Sequence, residues 1–428
     1  MVGAEDTIFA LATAEGKAGL AVIRVSGPAS IAILRALSGR DVVARMATLV
    51  PLRDGAGGLL DEALVLRFEA GASYTGEDTV EFQLHGSRAI VRAVLDAIAA
   101  TGAARLAEPG EFTRRALEND RLDLAQVKGL ADLIEAETEA QRREALRVFT
   151  GELSDRITGW RASMIRAHAL IEATIDFADE DVPVDVMPEI EELLRSVRQE
   201  IAAEIAGATA ARRLRSSFEV AIIGAPNVGK SSLINALSRS DASIVTEIPG
   251  TTRDVIEVRM DLRGVPVTFL DTAGLRETED RVEQAGIERA RRRAADADLR
   301  VLLLDDTVEV AADLVATADI VLRSKADISE TGDISAVTRE GIDAFLADVA
   351  DRLSQRVASA GLTTRLRDVQ LLESSLSQLD DIATNPDGES ELLAIRLREA
   401  SDTLGQVTGA IGVEDVLGEI FSSFCIGK

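Results

Sequence analysis

The spacing of apolar residues in the first part of the chain predicts a mixture of strands and helices. Short apolar runs at 20–25, 63–68 and 79–84 are typical of strands, whereas residues 90–100 are predicted to form a helix. These elements together indicate an α+β domain over residues 1–118.

Helical spacing dominates two longer stretches, at about 123–210 and 366–421. In the first stretch, apolar residues recur mostly every three or four positions, which predicts one buried stripe of side chains. Its members are Leu153, Ile157, Trp160, Met164, Ile171 and Ile175. His168 lies on the same stripe and is therefore expected in the core.

A glycine-rich loop lies between a predicted strand and a predicted helix in the middle of the chain. The apolar run 220–223 leads into Gly224-Ala-Pro-Asn-Val-Gly-Lys-Ser231, and 232–237 reads as a helix. This is the P-loop pattern in its strand–loop–helix context. The loop amides, the helix N-terminus and Lys230 would converge on a polyphosphate, and Ser231 would reach its magnesium ion. A plain glycine turn is the alternative.

Later loops, each after an apolar run, indicate a guanine nucleotide. Asp271, at the end of a predicted strand, would hold magnesium through water, and Gly274 would sense the terminal phosphate. Thr252 would complete the magnesium shell. Asp327 would accept two N–H bonds from the guanine edge, which adenine cannot supply. These features predict an α/β P-loop (Ras-like) G domain that binds GTP.

The residues expected to bind GTP include positions that depart from the usual pattern. Leu275 stands where many small GTPases carry a water-orienting glutamine, so another group must take that role. Asn227 offers a neutral oxygen where a monovalent cation could replace an arginine finger. Ser324 stands where the guanine-reading motif usually has asparagine, so that loop is expected to be held less tightly. The full set is Asn227, Val228, Gly229, Lys230, Ser231, Ser232, Thr246, Glu247, Ile248, Pro249, Gly250, Thr251, Thr252, Asp271, Thr272, Ala273, Gly274, Ser324, Lys325, Asp327, Ser335, Ala336 and Val337.

The amino-acid composition limits the classes of protein to which this chain can belong. One cysteine in 428 residues excludes an internal disulfide, and two histidines disfavour a zinc site. No apolar stretch approaches the ~20 residues that a membrane span needs, and residues 1–6 lack the basic start of a signal peptide. We therefore expect a cytoplasmic protein with no membrane partner.

Motifs along the whole chain resemble those of the MnmE (TrmE) family of bacterial tRNA modification GTPases, within the TrmE-Era-EngA-like group. The P-loop alone is common, but together with the terminal Cys-Ile-Gly-Lys it is highly specific. The further matching segments are 23–27, 73–78, 109–113, 119–125, 250–254 and 424–428. The implied fold is multidomain: an α+β N-terminal folate-binding domain (1–118), a discontinuous all-α helical domain (119–214 plus 355–428) and an inserted G domain (215–354).

The resemblance implies a homodimeric GTPase stimulated by potassium, whose two G domains pair across their nucleotides. The potassium ligands would be Asn227, Thr246, Ile248 and Thr251, and the magnesium ligands Ser231 and Thr252. Glu283 would position the attacking water as a general base. By sequence alone, Glu283 is a solvated acid in an acidic run.

The resemblance also implies that the N-terminal domain binds 5-formyltetrahydrofolate or a related one-carbon folate. The matching positions are Arg24, Glu81 and Arg121, with Lys428 contributed by the end of the chain. Arginine and lysine suit the carboxylates of folate, and a buried glutamate suits its pterin N–H edge; each residue alone could be a surface charge. Cys425 is expected as a catalytic thiol beside the folate, or else as a buried anchor of the tail.

The net charge of −26 is unusual for a protein that acts on tRNA, because Lys and Arg contacts to phosphate normally dominate such affinity. The arginines at 212, 213, 215, 289 and 291–293 either bind RNA or pair with acids on helix faces. In the family, the flavoprotein MnmG shares the tRNA in a heterotetramer, and the two install an aminomethyl-type or carboxymethylaminomethyl group at carbon-5 of the wobble uridine. A ribosome-assembly GTPase without one-carbon chemistry, with a basic module beside the G domain, is the alternative.

Overall fold

The computed structural model describes residues 6–176, 186–240, 242–244, 257–271, 295–305, 317–384, 390–410 and 427. The chain divides into two compact units, one formed by residues 1–131 with 405–428 and the other by residues 132–404. The division into three domains, with boundaries at 118, 214 and 354, stays a prediction.

The first unit is built on a six-stranded sheet in which alternate residues are buried. Its strands are β1 (Ile8–Leu11), β2 (Leu20–Ser26), β3 (Thr48–Arg53), β4 (Leu59–Phe68), β5 (Thr79–His85) and β6 (Arg105–Leu106). Their order is β3-β4-β5-β2-β1-β6, and only the β1–β6 pair is parallel. The inner face packs on α1 (Ser30–Ser38) and α2 (Arg88–Ala100) through residues such as Ile23 and Phe82. The predicted α+β character is confirmed.

The outer face of this sheet follows from the same alternation. Residues on β2 and β5 that point away from the helices are only partly buried, and they include Arg24 and Glu81, which lie opposite each other in register. The short helix α3 (Glu111–Glu118) follows β6. A pair of charged residues is thus presented on the less covered side of the sheet.

The predicted helical stretches are confirmed as far as the described residues reach, which leaves out residues 177–185, 385–389 and 411–421. They form α4 (Leu124–Glu135), α5 (Glu139–Phe149), α6 (Glu152–Asp176), α7 (Met187–Ser216), α10 (Leu366–Thr384) and α11 (Ser390–Thr408). Helix α7 packs against both α6 and α10. In the part of the chain that the structure describes, no helix has the length and apolar character to cross a membrane.

The apolar stripe of α6 is buried as expected, from Leu153 to Ile171, although Ile175 is only partly buried. The indole N–H of Trp160 donates to Glu200 Oε2 on α7 at 2.8 Å. The expectation for His168 was wrong, because its side chain is 30% exposed and lies 3.6 Å from Glu172. It sits at the edge of the stripe, where an ionisable ring stays in contact with water.

A second sheet lies between α7 and α10 in the chain. Its strands are β7 (Phe218–Ile223), β8 (Glu257–Leu262), β9 (Val265–Asp271), β10 (Leu299–Leu304) and β11 (Ile320–Arg323), in the order β11-β10-β7-β9-β8. All neighbours are parallel except β8 and β9. Helices α8 (Lys230–Ser238) and α9 (Ile342–Val357) pack on this sheet. Since β7 is central, the loop after it leaves from the middle of the edge where ligands bind in such sheets.

Candidate functional site

The P-loop between β7 and α8 adopts backbone angles that favour glycine. Gly224 has a φ of +150° and Gly229 a φ of +105°, and Asn227 between them has +64°. A Cβ on Gly224 would lie 2.3 Å from the carbonyl oxygen of Leu303 on β10. Only glycine fits this close approach to the neighbouring strand, so the motif has a structural reason as well as a chemical one.

Lys230 folds back onto the P-loop. Its Nζ donates to the carbonyl oxygens of Gly224 at 2.9 Å and Ala225 at 2.8 Å. The residue is 7% exposed, and burial lowers the pKa of its ammonium group while the charge of Asp271 opposes that change. A desolvated ammonium at the edge of a parallel sheet, close to a buried carboxylate, suits a ligand that is both anionic and metal-bound.

The remaining P-loop residues are placed as a phosphate site requires. Val228 is buried in the core of the sheet, whereas Asn227 and Ser232 are exposed. Ser231 is half-buried in the first turn of α8. The oxygens of Ser231 and Asp271 are hard donors of the kind that Mg²⁺ prefers. Among the described residues, no group of three His, Cys, Asp or Glu side chains could hold a metal, so an ion here would also need oxygens of the nucleotide.

Several predicted site residues lie outside the described residues. They are Thr246, Glu247, Ile248, Pro249, Gly250, Thr251, Thr252, Thr272, Ala273, Gly274, Glu283, Cys425 and Lys428.

The loop after β11 lies beside the P-loop. Ser324 is 7% exposed, and both its amide and its hydroxyl donate to the carbonyl of Leu304, at 2.8 and 2.9 Å. A Cβ built on Gly229 would lie 4.0 Å from the Cβ of Ser324. Lys325 Nζ lies 2.9 Å from Asp305 Oδ2. The structure therefore brings the predicted base-reading loop and the predicted phosphate loop together.

Asp327 is oriented by a buried serine. The hydroxyl of Ser335, which is fully buried, donates to Asp327 Oδ1 at 2.7 Å. Ala336 is partly buried and Val337 is 80% exposed. With one oxygen held by Ser335, the carboxylate of Asp327 has a fixed direction, which a residue that reads a base edge needs.

Arg24 and Glu81 form a second site, on the outer face of the first sheet. The Nε and Nη2 atoms of Arg24 both lie 2.9 Å from Glu81 Oε1, and both side chains are 19% exposed. The guanidinium also lies over two aromatic rings, 5.1 Å from the centroid of Tyr74 and 5.5 Å from that of Phe112. Cation–π contact and the ion pair together fix the plane of the guanidinium.

Sequence reasoning missed the roles of Tyr74 and Phe112. Burial raises the pKa of the Tyr74 phenol, whose oxygen lies 2.8 Å from the hydroxyl of Thr113. A signal was available, because Tyr74 is the one tyrosine of the chain and both rings lie in the motif segments 73–78 and 109–113. The contact to Arg24 could not be foreseen, since it depends on how the loop of Tyr74 and helix α3 pack on the sheet.

Arg121 and Gly427 each lie next to an element that belongs to the Arg24 site. A Cβ on Gly76 would lie 3.3 Å from Cγ of Arg121, so the exposed Arg121 packs on the loop that carries Tyr74. A Cβ on Gly427 would lie 2.0 Å from the carbonyl oxygen of Leu11 on β1. Ala10, the residue before Leu11, pairs with Arg24 on β2. The penultimate residue therefore lies against the strand next to Arg24.

Two arginines near the end of α7 pair with acids, which is one of the two alternatives predicted for them, the other being RNA binding. Arg213 lies 3.1 Å from Asp298 and 3.4 Å from Glu219, and Arg215 lies 2.7 Å from Asp132. Pairing with acids is thus confirmed for these two arginines, whereas Arg212 is exposed. Residues 289–293 lie outside the described residues.

Comparison with known proteins identifies relatives over the whole chain. A family model described as the MnmE helical domain matches residues 124–425, and one described as the N-terminus of GTP-binding protein TrmE matches residues 7–121. The tRNA modification GTPase MnmE of Dinoroseobacter shibae is 54% identical, over 99% of this chain and 100% of its own length. The proteins of that name from Roseobacter denitrificans and Ruegeria sp. are 52% and 53% identical with the same coverage.

Among solved structures, the G domain of the T. maritima FeoB iron transporter is 24% identical, over 32% of this chain and 98% of that one. Its TM-score of 0.24 is too low to add to the description of the fold. Full-length identity above half and the two matching family models are decisive. The chain belongs to the MnmE family of tRNA modification GTPases.

Proposed function

We propose that this chain hydrolyses GTP while modifying carbon-5 of the wobble uridine of tRNA. The observation that carries the proposal is the P-loop at the centre of the second sheet, with a buried Lys230 close to Asp271, in a member of a tRNA modification GTPase family. Lys230 would bind the phosphates, and Asp327, held by Ser335, would select guanine.

Two cations would assist the residues of the nucleotide site. Ser231 and Thr252 would hold Mg²⁺, with Asp271 acting through water. Asn227 would hold K⁺ together with Thr246, Ile248 and Thr251. These ions would supply positive charge to the phosphates, the role that an arginine finger has in other GTPases. Glu283 would orient the attacking water.

The cation assignment is tested by GTP turnover in KCl and in NaCl at equal ionic strength. We expect turnover to be at least about tenfold faster in KCl, which corresponds to roughly 1.4 kcal/mol of transition-state stabilisation. Asn227→Ala should abolish the difference, while Asn235→Ala, at an exposed position of α8, should keep it. Equal rates in both salts for the wild type would refute the potassium role. Glu283→Ala should slow turnover and spare GTP binding.

We infer that the Arg24 site binds 5-formyltetrahydrofolate or a related one-carbon folate. A guanidinium held over two aromatic rings on a partly buried sheet face suits a ligand that has both an aromatic ring system and carboxylates. Arg121 on the neighbouring loop and Lys428, which follows Gly427, would add positive charge. Glu81 would accept from the pterin edge. Cys425, close to Lys428 in sequence, is proposed as the thiol of this site.

The folate assignment is tested by isothermal titration with a reduced formyl-folate. Arg24→Ala should weaken binding at least about tenfold, because it removes a charge-assisted contact of about 1.5–3 kcal/mol. Arg53→Ala, on the exposed edge strand β3, is the matched control and should bind as the wild type does. If the two variants had the same affinity, the site would have to be reassigned.

The distribution of charge supports shared binding of tRNA in a complex with the flavoprotein MnmG. Residues 1–131 carry 14 Lys and Arg against 17 Asp and Glu, whereas residues 132–428 carry 33 against 56. An acidic nucleotide-binding part cannot attract RNA phosphates, so a partner must provide the Lys and Arg side chains that contact those phosphates. The same imbalance argues against a ribosome-assembly switch, which needs a basic module there. We propose a cytoplasmic homodimer that joins MnmG in a heterotetramer, with domains 1–118, 119–214 plus 355–428, and 215–354.

A further inference from the structure

Within residues 132–404, one carboxylate holds both connections between the helices and the nucleotide-binding sheet. Asp132 on α4 accepts from Arg215 Nε at 2.7 Å, from Arg365 at 2.8 Å and from the hydroxyl of Thr364 at 3.3 Å. Arg215 lies in the last turn of α7, just before β7, and Arg365 lies between α9 and α10. The chain segment that leads into the nucleotide-binding sheet (the outgoing connection) and the segment that leads back out of it (the returning connection) are therefore both tied to the side chain of Asp132.

A second carboxylate binds only the returning connection. Glu204 on α7 accepts the amide of Leu362 at 2.5 Å and the amide and hydroxyl of Thr363 at 2.7 and 2.9 Å, and Arg156 lies 3.1 Å away. The amide of Gly361 donates to the carbonyl of Gly207, one turn later on α7, at 3.1 Å. We call this group the joint; it consists of Asp132, Glu144, Glu204, Arg215 and residues 361–365.

Glu144 on α5 is the third carboxyl of the joint, and its Oε1 has no hydrogen-bond partner among the described residues. The residue is 7% exposed. Burial and then the nearby charge of Asp132 raise its pKa to about 8, with Glu204 adding to the rise and Arg147 and Arg215 opposing it. A buried carboxylate without a partner is costly, so Glu144 is protonated at neutral pH. The Nε atom of Arg365 is likewise buried without a described partner.

The helix that carries Glu144 also contacts the nucleotide-binding sheet. The amide of Ala140 donates to the carbonyl of Gly264, between β8 and β9, at 3.0 Å, and Gln141 Nε2 donates to the carbonyl of Arg215 at 3.1 Å. A cavity of about 20 Å³ lies against Glu144 and Asp132, and one of about 400 Å³ lies between Gln141, Arg215 and Met260. The side chains of the joint thus have room to move and to admit water.

We propose that Glu144 is a proton-operated positioning residue that controls how firmly the joint holds the nucleotide-binding part of the chain. While Glu144 keeps its proton, Arg215 and Arg365 stay on Asp132 and both connections are fixed. When its O–H bond breaks, the proton passes to water in the adjoining cavity. The new carboxylate then attracts Arg215, which lines the same cavity, away from Asp132, and the outgoing connection loosens. The proposal does not depend on the folate or tRNA assignments.

The test is a distance measurement between spin labels on the full chain without nucleotide. Labels at Ser238→Cys on α8 and Ser377→Cys on α10, both exposed positions, are introduced in a Cys425→Ser background. We expect one narrow distance distribution at about pH 6 and a broader or second distribution at about pH 9.5, with a midpoint near pH 8. Glu144→Gln, which cannot ionise, should keep the narrow distribution throughout.

Glu139→Gln is the matched control, because Glu139 is an exposed carboxylate on the same helix, paired with Arg142 and Arg143. It should titrate as the wild type does. A wild-type distribution that does not change with pH, or a Glu144→Gln chain that titrates like the wild type, overturns the proposal. If Glu144→Gln does not fold, Arg215→Gln decides: it should show the broad distribution already at about pH 6, and a narrow one there overturns the proposal. None of these readouts requires GTP hydrolysis, so they leave the proposed function to its own tests.

Discussion

Lys230 is placed for a ligand rather than for the stability of the free chain. The residue is 7% exposed, and its ammonium group bonds to two neutral carbonyl oxygens of the P-loop. Taking a charge out of water costs free energy that neutral acceptors offset only in part. The gain comes when phosphate oxygens replace or join the carbonyls, because charge-assisted bonds are the stronger ones.

Lys230→Met should therefore separate ligand binding from folding. We expect the nucleotide-free variant to melt no lower than the wild type, whereas GTP affinity should fall about 30- to 100-fold, or roughly 2–3 kcal/mol. Isothermal titration with GTP and calorimetric melting of the free chain measure the two quantities. Ser238→Ala, at the other end of α8, should change neither. Unaltered GTP affinity in Lys230→Met would show that the ammonium does not touch the nucleotide.

Glu144 makes stability depend on pH in a defined direction. Its pKa is about 8 in the folded chain and about 4.3 when unfolded. A raised folded-state pKa contributes stability that is fully present below the unfolded value and is lost as pH rises through the folded value. The loss therefore falls between about pH 4.5 and about pH 8.

Glu144→Gln should remove this dependence. Between about pH 5 and pH 8, the wild type should lose up to about 4 kcal/mol of unfolding free energy relative to the variant. Urea unfolding of both chains at the two pH values measures the difference, and Glu139→Gln should follow the wild type. Parallel stability profiles for wild type and Glu144→Gln would mean that the carboxyl is not protonated in the folded chain.

At the scale of elements, the loop between β7 and α8 uses its two glycines differently. A Cβ on Gly224 meets the backbone of β10 at 2.3 Å, whereas a Cβ on Gly229 meets nothing closer than 4.0 Å. Both have positive φ values. Replacing Gly229 thus strains one residue, while replacing Gly224 also forces two strands of the central sheet apart.

Gly224→Ala should accordingly destabilise the nucleotide-free chain by about 3 kcal/mol or more, and Gly229→Ala by about 1–2 kcal/mol. Urea unfolding compares the two variants under identical conditions. Gly102→Ala serves as a reference, since it has positive φ at a surface turn with nothing within 4 Å. Equal losses at 224 and 229 would contradict the contact with β10.

Local patterns predicted the elements well and the long-range contacts poorly. The strand before the P-loop, the helix after it and the strand ending at Asp271 follow from short-range apolar spacing and turn chemistry. The joint does not, because Asp132 meets partners 83 and 233 positions away. The position of Tyr74 and Phe112 beneath Arg24 likewise depends on a loop and a helix, α3, that lie far apart from β2 in sequence. The resemblance to a known family pointed to Arg24, whereas the spacing of apolar residues could not have identified it.

At the scale of the whole molecule, charge limits what the chain can bind alone. A net charge of −26 repels RNA at distances beyond direct contact. The acids are concentrated in residues 132–428, so this repulsion is strongest around the nucleotide-binding part. Tight binding of tRNA is therefore expected to need a partner that provides basic contacts.

We expect the isolated chain to bind tRNA with a dissociation constant weaker than about 1 μM at physiological salt, in the range of non-specific contacts. Addition of the flavoprotein should tighten binding at least about tenfold, or roughly 1.4 kcal/mol. Filter binding measures both, and a duplex RNA of similar length should gain nothing from the pair. Tight binding by the isolated chain would show that charge is not the limiting factor.

The hydrogen bond from Trp160 to Glu200 has a practical consequence. The indole is the only one in the chain, is 3% exposed and spans the packed pair α6 and α7. Its fluorescence therefore reports on that helix pair alone, without an introduced dye, and a carboxylate acceptor makes the emission sensitive to any separation of the two helices. Motion driven by nucleotide that reached the helical region would be visible as a spectral change in the native protein.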